Sequence, residues 1–338
     1  MKITSNPKDI NKESWSDFVL KHPDGNIFQT PEFFSVYKDS KNHEPIFICA
    51  YQNDKIIGIL VSFIQSEFGG PFRILSSRAL VLGGPLIIHK YYQQILPHML
   101  SRLNDCVKSK SLFTEIRNFF NTERSVEIFE QCGYNYSPHL NFIINLKEGR
   151  EKAWENLSQS KRRSIRKGIH NGSIVEESSK KSVLKEYYRG LNFFYKNTVR
   201  KPLPQYSYFE QIFDKLLPKE MAKLFIVRNK ESKIIGGILC AIYQRKIYEL
   251  FIFSERNLQN KNLFASEIAT WEPINWGSKE GMGFFDLMGA GKPEEEYGVR
   301  KFKRGFGGNL VSYGRYKSIH YPILHNFVMK ISELIKNG

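Results

Sequence analysis

Cysteine is scarce in this sequence, and its few copies stand far apart. The four residues, Cys49, Cys106, Cys132 and Cys240, form no CxxC pair and have no histidine at a metal-binding spacing. Such spacings indicate neither a zinc site nor a disulfide framework. The sequence therefore predicts a protein of the reducing cytoplasm, and nothing in it indicates a metal or another cofactor.

Long apolar runs are also missing. The opening residues, MKITSNPKDINKESW, contain no apolar signal core. The longest apolar runs, near 56–64 and 234–242, are much shorter than the roughly 20 residues that a membrane-spanning helix needs. We therefore expect a soluble protein without a transmembrane segment.

Acidic residues are outnumbered by basic ones. The 50 Lys and Arg residues against 34 Asp and Glu residues give a net charge of +16. Such an excess favours phosphate-rich partners, such as RNA, nucleotide sugars, lipid diphosphates or an anionic membrane surface. A general richness in lysine without a binding role is the alternative, so the position of the cations matters more than their number.

One segment of the sequence occurs twice. FICAYQNDKIIGILVSFI (47–64) aligns without a gap with FIVRNKESKIIGGILCAI (225–242), and both copies contain KIIG. In each copy a polar turn separates two runs of β-branched and aromatic residues, which is the local pattern of a β-hairpin. The sequence therefore predicts one structural unit used twice.

The residues after each hairpin support the same interpretation. A helical pattern follows at 91–109 and again at 263–281, and each is followed by an apolar strand, at 112–116 and 284–288. This order predicts an α/β (α+β) fold of two units, each a mixed, largely antiparallel sheet flanked by helices. Pro273 should kink or interrupt the second of the two helices.

The domain boundaries follow from the repeat. We place the first domain at 1–150 and the second at 151–320. The last segment, 321–338, predicts a helix whose apolar row docks onto the core, with contact to the inner face of a membrane as the alternative. The residues of that row are Ile323, Phe327, Ile331 and Leu334.

A cluster of cations lies in the stretch KRRSIRKGIHNG. On a helix, positions four apart are neighbours, so the cations form two adjacent rows on one side. Such a face can bind a diphosphate or an RNA backbone through charge-assisted contacts, although a merely solvated face is the alternative. The five cations are Lys161, Arg162, Arg163, Arg166 and Lys167.

A second basic segment, RKFKRGFGG (300–308), contains no acidic residue. Its two phenylalanines can anchor the segment while the cations point elsewhere, and its glycines permit close backbone approach to an anion. Elsewhere, Glu249 and Asp286 are single carboxylates in apolar strand patterns, where burial would raise a pKa toward that of a general base. Carboxylates satisfied by neighbouring cations or backbone N–H groups are the alternative.

The order of these segments resembles that of the FemAB-like acyltransferases. The resemblance rests on IFQTPEFF (27–34), the two KIIG hairpins, NLSQSKRRSIRKGIHNG (156–172) and RKFKRGFGG (300–308). It implies two tandem GNAT-like domains and transfer of an amino acid from aminoacyl-tRNA to a peptidoglycan precursor. The long helical arm of some members has no counterpart here, so the chain resembles the armless form.

The resemblance also implies roles for individual residues. Lys303 would stabilise the negative charge of the tetrahedral intermediate or of the leaving tRNA hydroxyl, or bind a substrate phosphate. Lys38, in the opening helix, is the match to a cation that binds the acceptor's phosphates. The remaining substrate-binding candidates of the second basic segment are Arg300, Phe302 and Arg304.

Three hypotheses for the function remain open. The first is transfer from aminoacyl-tRNA to an amine of a nucleotide- or lipid-diphosphate-linked cell-envelope precursor. The second uses an acyl thioester to acylate an amino sugar or a polysaccharide precursor, although 253–269 and Gly83-Gly84-Pro85 lack the usual glycine-rich coenzyme A turn. The third is a non-catalytic RNA- or glycan-binding protein with the same basic surface.

Overall fold

The computed structural model describes residues 1–67, 69–255, 260–295 and 298–337, without the side chains of 71 and 332–337. Its strands, in chain order, are β1 (Lys2–Thr4), β2 (His43–Gln52), β3 (Lys55–Gln65), β4 (Arg78–Leu82), β5 (Leu86–Ile87), β6 (Phe113–Arg117), β7 (Asn135–Ser137), β8 (Leu140–Asn145), β9 (Ile174–Glu177), β10 (Ala222–Arg228), β11 (Ile234–Tyr243), β12 (Lys246–Ser254), β13 (Phe284–Gly289), β14 (Asn309–Ser312) and β15 (Arg315–Ile319).

The helices surround these strands. In chain order they are α1 (Lys12–Lys21), α2 (Pro31–Asp39), α3 (Arg73–Ser76), α4 (Tyr92–Val107), α5 (Val126–Gln131), α6 (Gly149–Glu155), α7 (Gln159–His170), α8 (Lys181–Phe194), α9 (Tyr206–Lys215), α10 (Ala265–Lys279), α11 (Gly298–Arg304) and α12 (Pro322–Asn337). A π-helical turn, Tyr195–Val199, continues α8. None of the helices in the described residues is both long and apolar enough to cross a bilayer.

The strands form two sheets that match position by position. The first has the order β1-β2-β3-β4-β6-β15-β7, with β5 on β3, and the second has the order β9-β10-β11-β12-β13-β8-β14. In each sheet one central pair is parallel, β4 with β6 and β12 with β13, and the other strand pairs of the described residues are antiparallel. The predicted fold class and both predicted hairpins are confirmed.

The boundaries of the two units differ from the predicted domains. Unit 1 consists of Met1–Pro138 and Tyr313–Gly338, and unit 2 is His139–Ser312. The predictions of 1–150 and 151–320 are wrong because the chain changes from one sheet to the other at two strands. β8 follows β7 of unit 1 but pairs with β13 of unit 2, and β15 follows β14 of unit 2 but pairs with β6 of unit 1. Such non-local pairing leaves no local signal in the sequence.

The repeated KIIG motif has a packing reason. Its glycines, Gly58 and Gly236, lie where the following helix crosses the hairpin. A Cβ on Gly58 would lie 3.0 Å from the Met99 sulfur of α4, and one on Gly236 would lie 3.0 Å from the Ala265 Cβ of α10. A side chain at either glycine would require the helix residue opposite it to shift by a few tenths of an ångström, so glycine suits this close helix–sheet approach at both places.

The helix after the second hairpin corrects one prediction. Pro273 neither interrupts nor ends α10, which is continuous from Ala265 to Lys279. The residues on both sides of the proline, including Ile268, Trp271 and Ile274, are buried in the core of unit 2. Packing along the whole helix therefore compensates for the hydrogen bond that the proline cannot donate.

The C-terminal helix α12 meets unit 1 through a different face from the one predicted. His325 is buried, and its ring lies 5.6 Å from that of Phe113. The predicted docking row is exposed instead: Ile323 at 89%, Phe327 at 59% and Ile331 at 41%, while the side chain of Leu334 lies outside the described residues. The expectation that this row packs onto the core is wrong for the three described members, because the helix is apolar on more than one side.

Candidate active site

The parallel strands β12 and β13 of unit 2 form a fork. Their backbone pairing covers Lys246–Tyr248 against Phe284–Asp286 and stops there. Both strands continue, so that Glu249 on β12 and Leu287 on β13 are the first residues beyond the pairing. An extra residue in β12 at this point, between Glu249 and Phe251, makes a β-bulge against β11. Bulges re-aim side chains, and they occur often next to active sites.

The side chain of Lys303 lies across the fork. This lysine comes from α11 and is only 6% exposed. Its Nζ forms an ion pair of 3.1 Å with Oε1 of Glu249 and donates hydrogen bonds to the carbonyl oxygens of Leu287 and, at 3.3 Å, Gly289. An ammonium group has three N–H donors, so each has a partner, and Lys303 joins the two separated strands.

Asp286 is the second buried carboxylate at the fork. It is 6% exposed, and burial is the main reason that its pKa is raised to about 6. The negative charge of Glu249 raises it further. The Met288 backbone N–H, which donates to Oδ1 at 2.6 Å, the Asn141 amide and the charge of Lys303 all act in the opposite direction. A carboxylate with this pKa is mostly ionised at neutral pH and readily accepts a proton.

Asn141 also belongs to the site, although no sequence pattern singled it out. Its Nδ2 donates to both carboxylate oxygens of Asp286, at 3.3 Å each. Asn141 lies on β8 and Asp286 on β13, and these strands pair antiparallel across 145 residues of sequence. The only sign of this residue in the sequence is an Asn within an apolar strand pattern. That pattern does not indicate which residue the Asn contacts.

Residues around Lys303 fix the position of α11. The Arg300 guanidinium donates to the backbone carbonyls of Ala290, Lys292 and Pro293 in the loop after β13. These bonds hold that loop, and the predicted contact of Arg300 with substrate stays a prediction. At the other end, the Ser158 backbone N–H, at the start of α7, donates to the carbonyl of Gly305 at 2.9 Å.

The aromatic residues of α11 anchor the same segment. The rings of Phe302 and Phe306 lie 5.2 Å apart, as expected for anchoring residues. Lys161 of α7 lies with its Nζ 3.6 Å from the centre of the Phe302 ring and 2.9 Å from Oε1 of Glu267. Lys161 therefore does not belong to the exposed cationic rows, because its charge is used inside unit 2.

The other four predicted cations of α7 remain on the surface. Asn171 caps the C-terminal end of the helix, and Gly172 follows with a φ of 102°. The cations line one shallow depression together with His170. They are Arg162, Arg163, Arg166 and Lys167. The Ser158–Gly305 hydrogen bond links the start of α7 to the segment that follows Lys303, so this cationic surface and the fork are connected within unit 2.

The two remaining predicted residues are exposed. Lys38 lies in the last turn of α2 in unit 1, and Arg304 is the last residue of α11 in unit 2. Thr30 caps the start of α2, where its hydroxyl accepts a hydrogen bond from the Phe33 N–H, and Pro31 is the first helical residue. The substrate-binding roles of Lys38 and Arg304 stay predictions.

Solved structures share this arrangement of two units. FemX matches with a TM-score of 0.69 and 14% sequence identity, over 97% of this chain and 99% of FemX. The chain has the fold of FemX. L-PGS from Bacillus licheniformis matches with a TM-score of 0.56 and 15% identity, over 98% of this chain and 97% of L-PGS. A tandem GNAT protein from the clavulanic acid biosynthesis pathway matches with a TM-score of 0.59 and 9% identity, over 94% of this chain and 98% of that protein.

The FemX fold confirms the predicted resemblance and the predicted pair of GNAT-like units at the level of the fold. No protein-family model matches the sequence, and no curated protein matches it either. The likeness to FemX is therefore one of structure, and the chemistry has to be argued from the residues at the fork.

Within this FemX-like fold, the fork is a property of unit 2. The matching pair in unit 1, β4 and β6, stays paired over all five residues from Arg78–Leu82 and Phe113–Arg117. The described residues contain no group of three or more His, Cys, Asp or Glu side chains that could hold a metal ion. In the glycine-free stretch 253–269, residues 256–259 lie outside the described part of the chain.

Proposed function

We propose that this protein is an amide-forming acyltransferase of the FemAB-like type. In this proposal it transfers an amino acid from aminoacyl-tRNA to an amine of a peptidoglycan or other cell-envelope precursor. The observation that carries the proposal is the group formed by Lys303, Glu249 and Asp286 at the fork. The shared fold with FemX and with a tandem GNAT protein supports the reaction class.

The reaction needs a base that accepts a proton and a cationic group that stabilises the oxyanion, and the fork contains both. The lone pair of the acceptor amine attacks the ester carbonyl carbon, a C–N bond forms, and the carbonyl oxygen becomes negatively charged. Asp286, with a pKa of about 6, accepts the proton that the amine loses. When the C–O bond to the donor breaks, the leaving oxygen takes up the proton that Asp286 received from the amine and departs as a hydroxyl group, which returns Asp286 to its ionised form.

Lys303 supplies positive charge at this point. All three of its N–H groups have partners, so a bond to the developing oxyanion replaces one of them. The hydrogen bond from Nζ to the Gly289 carbonyl, at 3.3 Å, is longer than the ion pair with Glu249, at 3.1 Å. We assign the Gly289 bond to this exchange. The ion pair with Glu249 keeps the ammonium group at the fork throughout.

The cations on α7 have a separate role in the proposal. Arg162, Arg163, Arg166 and Lys167 bind the diphosphate of the acceptor through charge-assisted contacts, for which planar guanidinium groups are well suited. The hydrogen bond from Ser158 to Gly305 holds this surface at a fixed position relative to Lys303.

The decisive experiment compares acyl donors. The purified protein is incubated with a UDP-linked peptide precursor and either tRNAs charged with radiolabelled amino acids or radiolabelled acyl thioesters. We expect label from the charged tRNA to appear in an amide of the precursor. Transfer from the thioesters alone establishes the second donor class instead, and transfer from neither donor contradicts the proposal.

Lys303→Met tests the site in the same assay. We expect transfer to fall by roughly a hundredfold or more, because the oxyanion loses its cationic partner. Lys301→Met is the matched control, since Lys301 is an exposed lysine on the same helix. Equal rates for both variants would show that the fork is not the reaction centre.

The proposal includes a location and a surface contact. The four cysteines are free thiols, as in proteins of the reducing cytoplasm. The exposed row Ile323, Phe327 and Ile331, beside Lys330, is suited to lie on the inner face of an anionic membrane. Sedimentation with phosphatidylglycerol vesicles tests this contact: Phe327→Ser should lower binding and Leu20→Ser, an equally exposed apolar residue on α1, should not.

A further inference from the structure

A line of exposed cations ends in an exposed aromatic ring on α8. Lys185, Arg189 and Phe193 follow one another four residues apart, and Lys196 comes one turn later in the π-helical turn. Residues at this spacing share one side of a helix. All four are exposed, and the Phe193 ring is 70% exposed. We call these four residues the α8 stripe.

The α8 stripe is unfavourable on its own. Cations four residues apart repel each other by a few tenths of a kcal/mol per pair, and a phenyl ring left in water gains nothing from folding. In the described part of the chain, no ion pair engages Lys185, Arg189 or Lys196. A ligand that carries negative charges and flat apolar faces would reduce the repulsion between the cations and cover the exposed phenyl ring.

The stripe is separate from the cationic surface of α7. A Cβ on Gly236 of β11 would meet Ala265 of α10, whereas a Cβ on the next residue, Gly237, would meet the Tyr187 ring of α8. Neighbouring residues on a strand point to opposite faces, so α10 and α8 cover opposite faces of the sheet. Because α7 packs against α10, through Gly168, the two cationic surfaces lie on opposite faces of unit 2 and cannot serve one small ligand.

The end of the stripe lies beside the strand that carries Glu249. The Tyr195 ring of the π-helical turn is 6.3 Å from that of Phe251, and the Tyr187 hydroxyl donates to the Phe251 carbonyl at 2.8 Å. Phe251 follows Glu249 by two residues on β12. The π-helical turn at the end of α8 therefore lies near β12 at Phe251, two residues along the strand from Glu249.

We propose that the α8 stripe binds the single-stranded end of an RNA, with its cations on the phosphates and Phe193 stacked on a base. This inference rests on the proposed function, because it assigns a place to the RNA of the acyl donor. A basic track with an aromatic platform is the usual arrangement for binding single strands without sequence preference. One phenyl ring offers little apolar area to a bilayer, and the row on α12 is the more apolar surface.

The test measures RNA binding without any acyl group or acceptor. A fluorescently labelled RNA hairpin with a short single-stranded 3′ end is titrated with the protein, and binding is followed by anisotropy at several salt concentrations. Phe193→Ala should weaken binding by about tenfold, since one stacked base contributes roughly 1–3 kcal/mol. With a blunt-ended hairpin, the same substitution should have no effect.

The cations are tested in the same titration. The double substitution Lys185→Gln and Arg189→Gln should reduce the slope of log affinity against log salt by about 1.4, since each phosphate contact on a single strand contributes about 0.7. The charge-matched control replaces Lys12 and Lys152, exposed on α1 and α6, by Gln. Phe72→Ala, a 65% exposed ring in unit 1, is the control for Phe193.

The outcomes separate this inference from the proposed function. Stripe variants that lose RNA while the controls keep it support the inference, and they do so even if no donor is ever turned over. Absence of RNA binding by the unaltered protein overturns it, as do equal affinities for Phe193→Ala and Phe72→Ala. Loss of vesicle binding rather than RNA binding in the stripe variants would assign the surface to a membrane and also overturn it.

Discussion

At the scale of single residues, the candidate site depends on charges that are close together and shielded from water. Lys303 is positive, Glu249 is its ion-pair partner, and Asp286 is kept partly protonated by burial near pH 6. A buried carboxylate with a raised pKa reduces stability at neutral pH. Burial of the ionised Asp286 carboxylate costs free energy of folding. The same burial favours the reaction, because the carboxylate is stabilised when it takes up a proton.

This cost predicts how stability depends on pH. The pKa of Asp286 rises from 3.8 in the unfolded chain to about 6 in the folded protein. Its carboxyl group therefore binds a proton more tightly in the folded state, and the free energy of unfolding falls as pH rises between these values. The total loss is about 3 kcal/mol, because one pKa unit corresponds to roughly 1.4 kcal/mol.

Asp286→Asn tests this prediction, because an amide does not titrate. Urea unfolding of both proteins at several pH values should show the variant gaining about 3 kcal/mol relative to the unaltered protein between about pH 4 and about pH 7. A constant difference over this range would mean that the pKa of Asp286 is not raised.

Part of the site could be found from the sequence at this scale, for a physical reason. Glu249 and Asp286 are charged residues in apolar patterns, where a charge needs a partner or a function. Lys303 was singled out by the resemblance to the FemAB-like acyltransferases, and the structure brings it together with Glu249 and Asp286. Asn141 was missed because its only distinguishing feature is a contact across paired strands. Lys161 was assigned to the wrong group because the helical spacing does not show that Glu267 and Phe302 lie next to it.

At the scale of elements, the close contact between the turn that links α6 to α7 and the segment after α11 positions the lysine. Gly307 has a φ of 79°, and a Cβ there would lie 2.4 Å from the carbonyl oxygen of Asn156 in that turn. A side chain at this residue would strain the backbone and push the segment after α11 away from the turn. The glycines after Lys303 therefore have a packing role in addition to the anion-binding role that the sequence indicated.

Gly307→Ala should destabilise the protein by about 1–3 kcal/mol and lower the transfer rate, because Lys303 moves with α11. Gly298→Ala is the matched control, since a Cβ at the first residue of the same helix meets nothing within 4 Å. Thermal unfolding and transfer assays of both variants check this prediction, and an unaffected Gly307→Ala protein would contradict it.

Elements were predicted better than the relations between them. The hairpins, α7, α10 and β13 follow local rules of periodicity and capping, and they lie where the sequence placed them. Pro273 does not interrupt α10, and the prediction of the face on which α12 packs was wrong, because both depend on which surfaces surround the helix. Periodicity indicates that a face is apolar and does not name its partner.

At the scale of the whole molecule, unit 1 is built from two separate segments of the sequence, whereas unit 2 is a single segment. β15 lies between β6 and β7 in unit 1, although it comes after all of unit 2. Tyr316 on β15 is fully buried, and its ring stacks on that of Phe129 at 3.8 Å. The C-terminal segment is therefore part of the core of unit 1.

Tyr316→Ala should destabilise unit 1 by about 3–5 kcal/mol, as expected for removing a fully buried aromatic side chain. Hydrogen exchange should show faster exchange in β6 and α5 while β11 and β12 of unit 2 remain protected. Phe72→Ala, with an exposed ring in unit 1, should leave the exchange pattern unchanged. Faster exchange in unit 2 alone would contradict the assignment of β15 to unit 1.

The central claim is that acyl transfer takes place at the fork, with Asp286 as the base. The most direct measurement is the single-turnover rate of amino acid transfer from charged tRNA as a function of pH. The rate should rise with pH through an apparent pKa of about 6 in the unaltered protein. This pKa should be lower in Glu249→Gln, because a negative charge that raises the pKa of Asp286 is removed, and the rise should be absent in Asp286→Asn. An identical rise in all three proteins would contradict the account.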